Sequence, residues 1–336
     1  MSEEGHLIAS WDDVREVWLK WPEFFEGPAL DRAREGTVAL ASCLDELTDE
    51  QKSFLRIRIF TATAEGERSA RVALSACSTV DIYGAKAHRF FNGREPLLYW
   101  KSGRRGSVIA GPDLRERLFK DLEKIYRRDG LRTAPTSIAF ERGAIETDGE
   151  GTALVTRENW LRPGWNMNFD VNRLREILRE DLGIERLIWI DRGLPDDPTN
   201  GQVHRVARFI APGKVAVMES SEGSSEYRGV LKAVMQSLKG QLDATGRPLE
   251  LFPIPAPRVG PRRAVEAQGI SHLGYLQCNK SVVVPEYEGG DRAQLTHAFQ
   301  LAFPDKDLRF IKAPVAMGLG GSLHAMSLTF PRFDRS

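Results

Sequence analysis

Two hydrophobic periods alternate along the chain. Apolar positions recur at helical spacing over residues 11–21 and again over 29–47, which predicts two amphipathic helices. Residues 55–60, Leu-Arg-Ile-Arg-Ile-Phe, alternate instead and predict a strand. Residues 113–128 read as a helix closed by Gly130. Short strands are predicted at 137–140 and 152–155, with the turn Thr147-Asp148-Gly149-Glu150-Gly151 between them. A strongly periodic helix follows at 171–182, with Gly183 placed to close it, and then a buried strand at 187–190. Segments 203–210 and 215–218 predict a hairpin around Pro212-Gly213. Helix 227–242, strand 281–284, helix 292–303 and strand 308–311 complete the pattern.

Strands and helices therefore alternate over the whole length, which is the signature of an α/β fold and leaves the topology open. There is no Pro/Ser-rich linker and no low-complexity segment. The Pro-rich stretch 253–261 lies between strand-like segments and reads as a surface loop. A single domain over 1–336 is the expectation, although the length alone would permit two.

Composition narrows the function. The 336 residues are 41% apolar and 28% charged, as in an ordinary soluble domain. Lys+Arg and Asp+Glu both number 47, so the balance holds no excess charge to draw in nucleic acid or an anionic membrane. Near-zero net charge also leaves little colloidal repulsion, which is compatible with a homo-oligomer. The three cysteines, Cys43, Cys77 and Cys278, are far apart and form no CxxC pair. That argues against a disulfide framework or a structural zinc site and for a reducing, cytoplasmic setting. The acidic, polar start is unlike a signal peptide, and no apolar run is long enough to span a bilayer.

Several residues carry potential chemistry. Two histidines and an acid, His204, His324 and Glu141, form a common metal set, but no HxH or HxxxH spacing supports one, so no metal and no cofactor is expected. Cys77 lies near Asp81 and is a conceivable nucleophile; the plainer reading, shared by Cys278 and by Cys43 in the 29–47 helix, is a small buried hydrophobe. Gly318, Gly320 and Gly321 lack the GxxxxGK[ST] context of a phosphate loop. The basic run at 101–106 reads as a solvated loop. Trp160 and Trp165 are candidates for a pocket wall or for the core.

A set of short motifs, each weak alone, falls in one order at consistent spacing. They are Trp18-Leu19-Lys20-Trp21-Pro22, the segment from Phe140-Glu141-Arg142-Gly143 to Asp148-Gly149-Glu150-Gly151-Thr152, the segment from Gly193 to His204, Val282-Val283-Val284-Pro285, Ala302-Phe303-Pro304-Asp305, and Gly318 to Ala325. Together they resemble the agmatine deiminase and bacterial peptidyl-arginine deiminase family over most of the chain. The resemblance implies the α/β propeller of the guanidino-group modifying superfamily, five ββαβ units around a central pocket. It also implies deimination of a guanidinium by a Cys nucleophile, through a covalent thiouronium, with a His acid/base and carboxylates that grip the substrate.

Carried over residue by residue, that chemistry is missing. The nucleophile position, after Gly320-Gly321-Ser322-Leu323-His324, holds Ala325, which has no nucleophilic atom. The family's His-x-Asp pair falls on Gln202 and His204. An amide cannot shuttle a proton, and a ring in place of a carboxylate reverses the charge a guanidinium requires. On the predicted strand the two would point the same way. The substrate-gripping Asp falls on Ile82 ungapped from Gly84, or on Asp81 after a one-residue slip; both registers stay open. Glu141 matches the family acid, and His324 matches the His before the nucleophile. With nucleophile and base both absent, deimination should fall by about 10⁴–10⁶ or more, by analogy with hydrolases whose groups act as a unit. The implied function is a pseudoenzyme that binds a small-molecule ligand or a protein partner. The alternatives are a diverged enzyme doing other acid/base chemistry on an amine- or amide-bearing metabolite, and a structural subunit of an active paralogue.

Overall fold

Short sheets of three or four strands make up the structure, and helices pack across them. The computed structural model describes residues 6–23, 26–50, 55–84, 97–102, 105–110, 127, 132–166, 168–220, 224–258, 269–312 and 322–332. Contacts divide the chain into two compact units, one built from 1–12 and 94–254, the other from 13–93 and 255–332.

In the unit holding residues 13–93, the sheet order is Ser327–Pro331, Val14–Lys20, Arg56–Phe60, Val80–Tyr83. The first pair is antiparallel and the other two pairs are parallel. Val14–Lys20 is thus a strand, not the helix expected at 11–21. Val17 and Leu19 join Ile57, Ile59 and Ile82 in one core, while Trp18 is only 1% exposed on the opposite face. Covered on both faces and paired on both edges, the strand need not alternate, and its near-continuous apolar run passes for a helical period. Pro28–Glu50 is the expected second helix, opened by proline at its first position. Its buried stripe of Leu40, Leu44 and Leu47 packs on that core. Its Asp45 accepts hydrogen bonds from Ser78 N (3.0 Å), Thr79 N (2.7 Å) and Thr79 Oγ1 (2.5 Å), which fixes the approach to Val80–Tyr83. Burial raises the Asp45 carboxyl, but those bonds outweigh it and hold it below its ordinary value. The second sheet runs Leu276–Cys278, Ser281–Glu286, Asp307–Lys312, with the helix Arg292–Ala302 before its last strand.

The other unit carries three sheets. His6–Leu7, Leu97–Ser102, Arg105–Ala110 and Arg132–Pro135 form one. Arg186–Ile190, Thr152–Thr156 and Ile145–Thr147 form the second, and Ala207–Ala211, Lys214–Glu219 and Glu250–Pro255 the third. The helix Val171–Leu182 ends as expected on Gly183, left-handed at φ +68°. The 207–211/214–219 hairpin turns at Pro212-Gly213, where Gly213 has φ +71°. An antiparallel hairpin followed by a third strand recurs in the sheets, with a helix before the third strand wherever the intervening residues are described; among the described residues no sheet closes on itself.

Three further expectations change. Residues 137–140 form no strand, because both backbone groups of Ala139 are taken by the Asn166 side chain: its N donates to Asn166 Oδ1 (2.9 Å) and its O accepts from Asn166 Nδ2 (2.9 Å). Residues 203–205 form a 3₁₀ turn before the strand at 207–211. Pro253 and Pro255 belong to the edge strand Glu250–Pro255, where a missing N–H is tolerated; 259–261 lie outside the described residues. The helix expected at 113–128 also lies outside them, Arg127 apart. No helix among the described residues is long and apolar enough to cross a membrane.

Candidate functional site

Two 3₁₀ turns meet in the unit containing residues 94–254. Arg142–Ala144 follows Glu141, and Val203–Arg205 follows Gln202. Gly143 lets them meet: a Cβ there would lie 2.4 Å from both Gln202 Oε1 and His204 Nδ1. Gln202 and His204 therefore do face the same place, but by a turn and a glycine contact, not by strand alternation.

Glu141 is buried, and both its oxygens face donors. Gln202 Nε2 donates to Oε2, and Arg162 Nη2 lies 3.7 Å from Oε1. The Arg162 guanidinium stacks 3.4 Å from the centroid of the Trp165 ring. Trp165, named from the sequence as a pocket candidate, thus joins Glu141 through an arginine that periodicity could not single out.

His204 is 1% exposed, with Nδ1 3.0 Å from the carbonyl oxygen of Gly143. A carbonyl only accepts, so Nδ1 carries the proton of a neutral ring. Burial drives the His204 pKa well below its ordinary value, and the charges of Arg205, Arg208 and Arg142 push the same way. Two of these arginines, Arg205 and Arg208, are themselves buried against acids. Arg205 Nε is 3.4 Å from Asp197 Oδ1, and Arg208 Nε is 3.2 Å from Glu146 Oε1. Burial raises the Glu146 carboxyl despite the opposing pull of Arg208.

The segment from Gly193 to His204 is anchored from the 157–160 helix. Glu158 Oε2 accepts Gly193 N (3.0 Å), Asn159 Nδ2 donates to Thr199 O (3.0 Å), and Thr156 Oγ1 donates to Gly201 O (2.6 Å). Asp196 and Asn200 adopt left-handed backbone, at φ +55° and +57°. A groove of about 480 Å³ runs beside this segment, lined by Arg162, Glu158, Leu194, Asp196, Asp197 and Asn200 among others.

The remaining candidates belong to the other unit. Ala325 lies in the short helix Leu323–Met326, and its N–H donates to Ser322 Oγ at 3.0 Å. Ser322 is buried against Gly274, while His324 and Ala325 are half-buried. Gly320 and Gly321 lie outside the described residues. In the strand Val80–Tyr83, Ile82 packs against the core, and Asp81 is exposed, paired across from Arg58. Arg58 is held by Glu16 at 3.2 Å, with its guanidinium carbon 5.7 Å and 5.4 Å from the Trp18 and Tyr83 ring centroids.

The three thiols are packed. Cys77 Sγ lies 3.6 Å from Ser42 Oγ against the core. Cys43 is buried, and burial pushes the Cys278 thiol up to about 12, far from a thiolate at neutral pH. Among the described residues no group of three or more His, Cys, Asp or Glu is placed to hold a metal ion.

A family model described as Porphyromonas-type peptidyl-arginine deiminase matches residues 6–331. Two relatives provisionally named agmatine deiminases align along nearly their full length. The Vibrio parahaemolyticus protein is 27% identical over 97% of this chain and 96% of its own. The Marinomonas protein is 29% identical over 97% and 94%. The solved agmatine deiminase of Enterococcus faecalis superposes with a TM-score of 0.82 at 20% identity, covering 99% of this chain and 97% of its own. At that identity the match speaks for the mixed α/β fold.

Proposed function

This chain belongs to the Porphyromonas-type peptidyl-arginine deiminase family, and we propose that it is a pseudoenzyme within it, retaining the pocket to bind a small molecule or a protein partner without deiminating a guanidine. The observation that carries this reading is the methyl group at position 325, where the family resemblance places the thiol. Attack on a guanidinium carbon needs an electron pair at that position, and Ala325 has none. Two further observations support it. Gln202, which the family resemblance sets at the acid/base position, has its amide already bound to Glu141. Burial first, and the charges of Arg205, Arg208 and Arg142 after it, keep His204 neutral, so it offers no anion to a cationic substrate and cannot act as an acid near neutral pH. The same two facts weigh against the alternative of a diverged acid/base enzyme.

We extend the reading to the architecture. The recurring hairpin and third strand support five ββαβ units arranged as an α/β propeller, one family domain over 1–336. A cytoplasmic location and a homo-oligomeric state belong to the same proposal.

A product assay tests it. Ammonia and ureido groups would be measured with agmatine, arginine and a short arginine peptide at high protein concentration. The native chain, Ala325→Cys, and the triple variant Gln202→His/His204→Asp/Ala325→Cys would run in parallel. The native chain is expected to match a heat-treated control. Turnover above that control refutes the pseudoenzyme reading. Activity confined to the triple variant would show that the ancestral pocket persists.

A further inference from the structure

A carboxylate on one side and an aromatic face on the other is how proteins hold a guanidinium ligand. Glu141 and Trp165 form that arrangement, and the guanidinium between them is the chain's own Arg162. We propose that Arg162 is an internal occupant of the cation place on Glu141, and that it excludes free guanidinium and amidinium ligands from the native site. This deepens the pseudoenzyme reading and rests on it.

The placement is built by a clip in the backbone. Arg162-Pro163-Gly164-Trp165 closes a tight turn, with Trp165 N donating to Arg162 O at 3.1 Å and Gly164 at φ +84°. The turn brings the indole under the guanidinium of the residue three positions earlier. The next residue, Asn166, locks the turn to the site. Its amide bonds both backbone groups of Ala139 at 2.9 Å and donates to Trp160 O at 3.3 Å. Ala139 is two residues from Glu141, so the clamp sets where Arg162 stands relative to that carboxylate. Gln202 takes the other carboxylate oxygen, which leaves Glu141 bound on both sides by planar donors from within the chain.

Access points the same way. Arg162 is part of the wall of the 480 Å³ groove, which also carries Arg157, paired with Asp191, and the acids Glu158, Asp196 and Asp197, the last paired with Arg205. Glu158 and Asp196 favour a cation in the groove. A cation arriving there meets the positive charge of Arg162 and is repelled from Glu141. Replacing Arg162 with a small neutral side chain removes the repulsion, takes the cation from Glu141 Oε1 while Gln202 still holds Oε2, and leaves the Trp165 face uncovered. The vacated place fits a planar cation whose alkyl tail lies along the groove.

Arg162→Ala and Arg162→Gln would be compared with the native chain by calorimetry and thermal shift. The probes are methylguanidine and agmatine, with methylurea and butylamine as controls for shape and charge. We expect Arg162→Ala to bind methylguanidine at least about tenfold more tightly than methylurea, an advantage one charge-assisted contact supplies. The native chain should show no such preference, and Glu141→Gln placed on Arg162→Ala should abolish it. A folded Arg162→Ala without that preference overturns the proposal. So does a native chain whose agmatine binding is lost in Glu141→Gln. If Arg162→Ala does not fold unaided, refolding with methylguanidine against methylurea gives the same readout: selective recovery supports the proposal, and equal or absent recovery overturns it. A ureido product from the native chain refutes the pseudoenzyme reading. Missing methylguanidine preference with a silent native chain refutes the occupant alone.

Discussion

Gly143 and His204 lie so close that a side chain at position 143 has no room. A Cβ on Gly143 would stand 2.4 Å from His204 Nδ1 and equally close to Gln202 Oε1. Flexible side-chain ends usually move aside from such a clash, but these two are fixed. His204 and Gln202 are 1% and 3% exposed, and Gln202 is bound to Glu141. Gly143→Ala is therefore expected to destabilise the protein by about 1–3 kcal/mol, the range for overpacking a filled interior. Urea unfolding would measure it. Gln202→Ala on the Gly143→Ala background should return part of the loss, and a fully additive double-mutant cycle would show that the contact is not the cause.

The buried histidines give stability a defined pH dependence. Both His204 and His272 have pKa values lowered by burial, His272 from its ordinary 6.5 to about 4. In the unfolded chain each binds a proton below about 6.5, and in the folded chain each resists it. The unfolded state then holds more protons, so stability rises with pH through this window and is lost as pH falls from 6.5 toward the folded values. For His272 the full effect is on the order of 3 kcal/mol, reached near pH 4. His272 Nδ1 lies 2.6 Å from Pro255 O, so the substitution His272→Gln keeps a donor at that carbonyl. Urea midpoints measured from pH 7 to pH 5 should fall less steeply in His272→Gln than in the native chain. Parallel slopes would mean that the ring is not held neutral.

Legibility tracked how locally each feature is encoded. The helix Val171–Leu182 shows its period and its Gly183 terminator within one stretch of chain, so it is plain from the residues. Val14–Lys20 is not, because burial on both faces erases the alternation that marks a strand. Residues 137–140 look like a strand until a distant side chain, Asn166, takes their backbone bonds. Among the candidate residues, Ala325, Gln202 and Glu141 are singled out by motifs that resemble the family's. Arg162 is not, since its partner Glu141 comes from another element and no spacing links them. Gln202 and His204 share a direction for a reason the sequence hides, a 3₁₀ turn against Gly143.

Thiol reactivity should separate the three cysteines. Cys278 is buried and its thiol is pushed up to about 12, so almost none of it is thiolate at pH 8. Cys43 is buried in the core of the same unit, whereas Cys77 is half-buried beside Ser42. Iodoacetamide labelling of the folded protein, read by peptide mass spectrometry, should modify Cys77 first. Cys43 and Cys278 should react only at the rate of unfolding, and Cys77→Ser should remove the early phase. Early labelling of Cys278 would contradict its burial.

Asn166 makes the strongest stability prediction, because one amide does the work of a missing strand. Its Oδ1 and Nδ2 complete the hydrogen bonding of Ala139, and Nδ2 also reaches Trp160 O. Its backbone, at φ +46°, is in the left-handed region that asparagine and aspartate tolerate better than most residues. Asn166→Asp keeps shape and backbone preference but removes both donors and sets a carboxylate against two carbonyl oxygens. The residue is only 9% exposed, so water cannot replace the lost bonds. The expected loss is about 2–4 kcal/mol at pH 7, from orphaned acceptors plus a poorly solvated charge. It should shrink in acid, where a protonated aspartate regains one donor, provided the native chain is measured at each pH as the reference. Asn166→Ala, which adds no charge, should cost less than Asn166→Asp at pH 7. Equal costs at every pH would show that the amide donors are not what binds the 162–166 turn to Ala139.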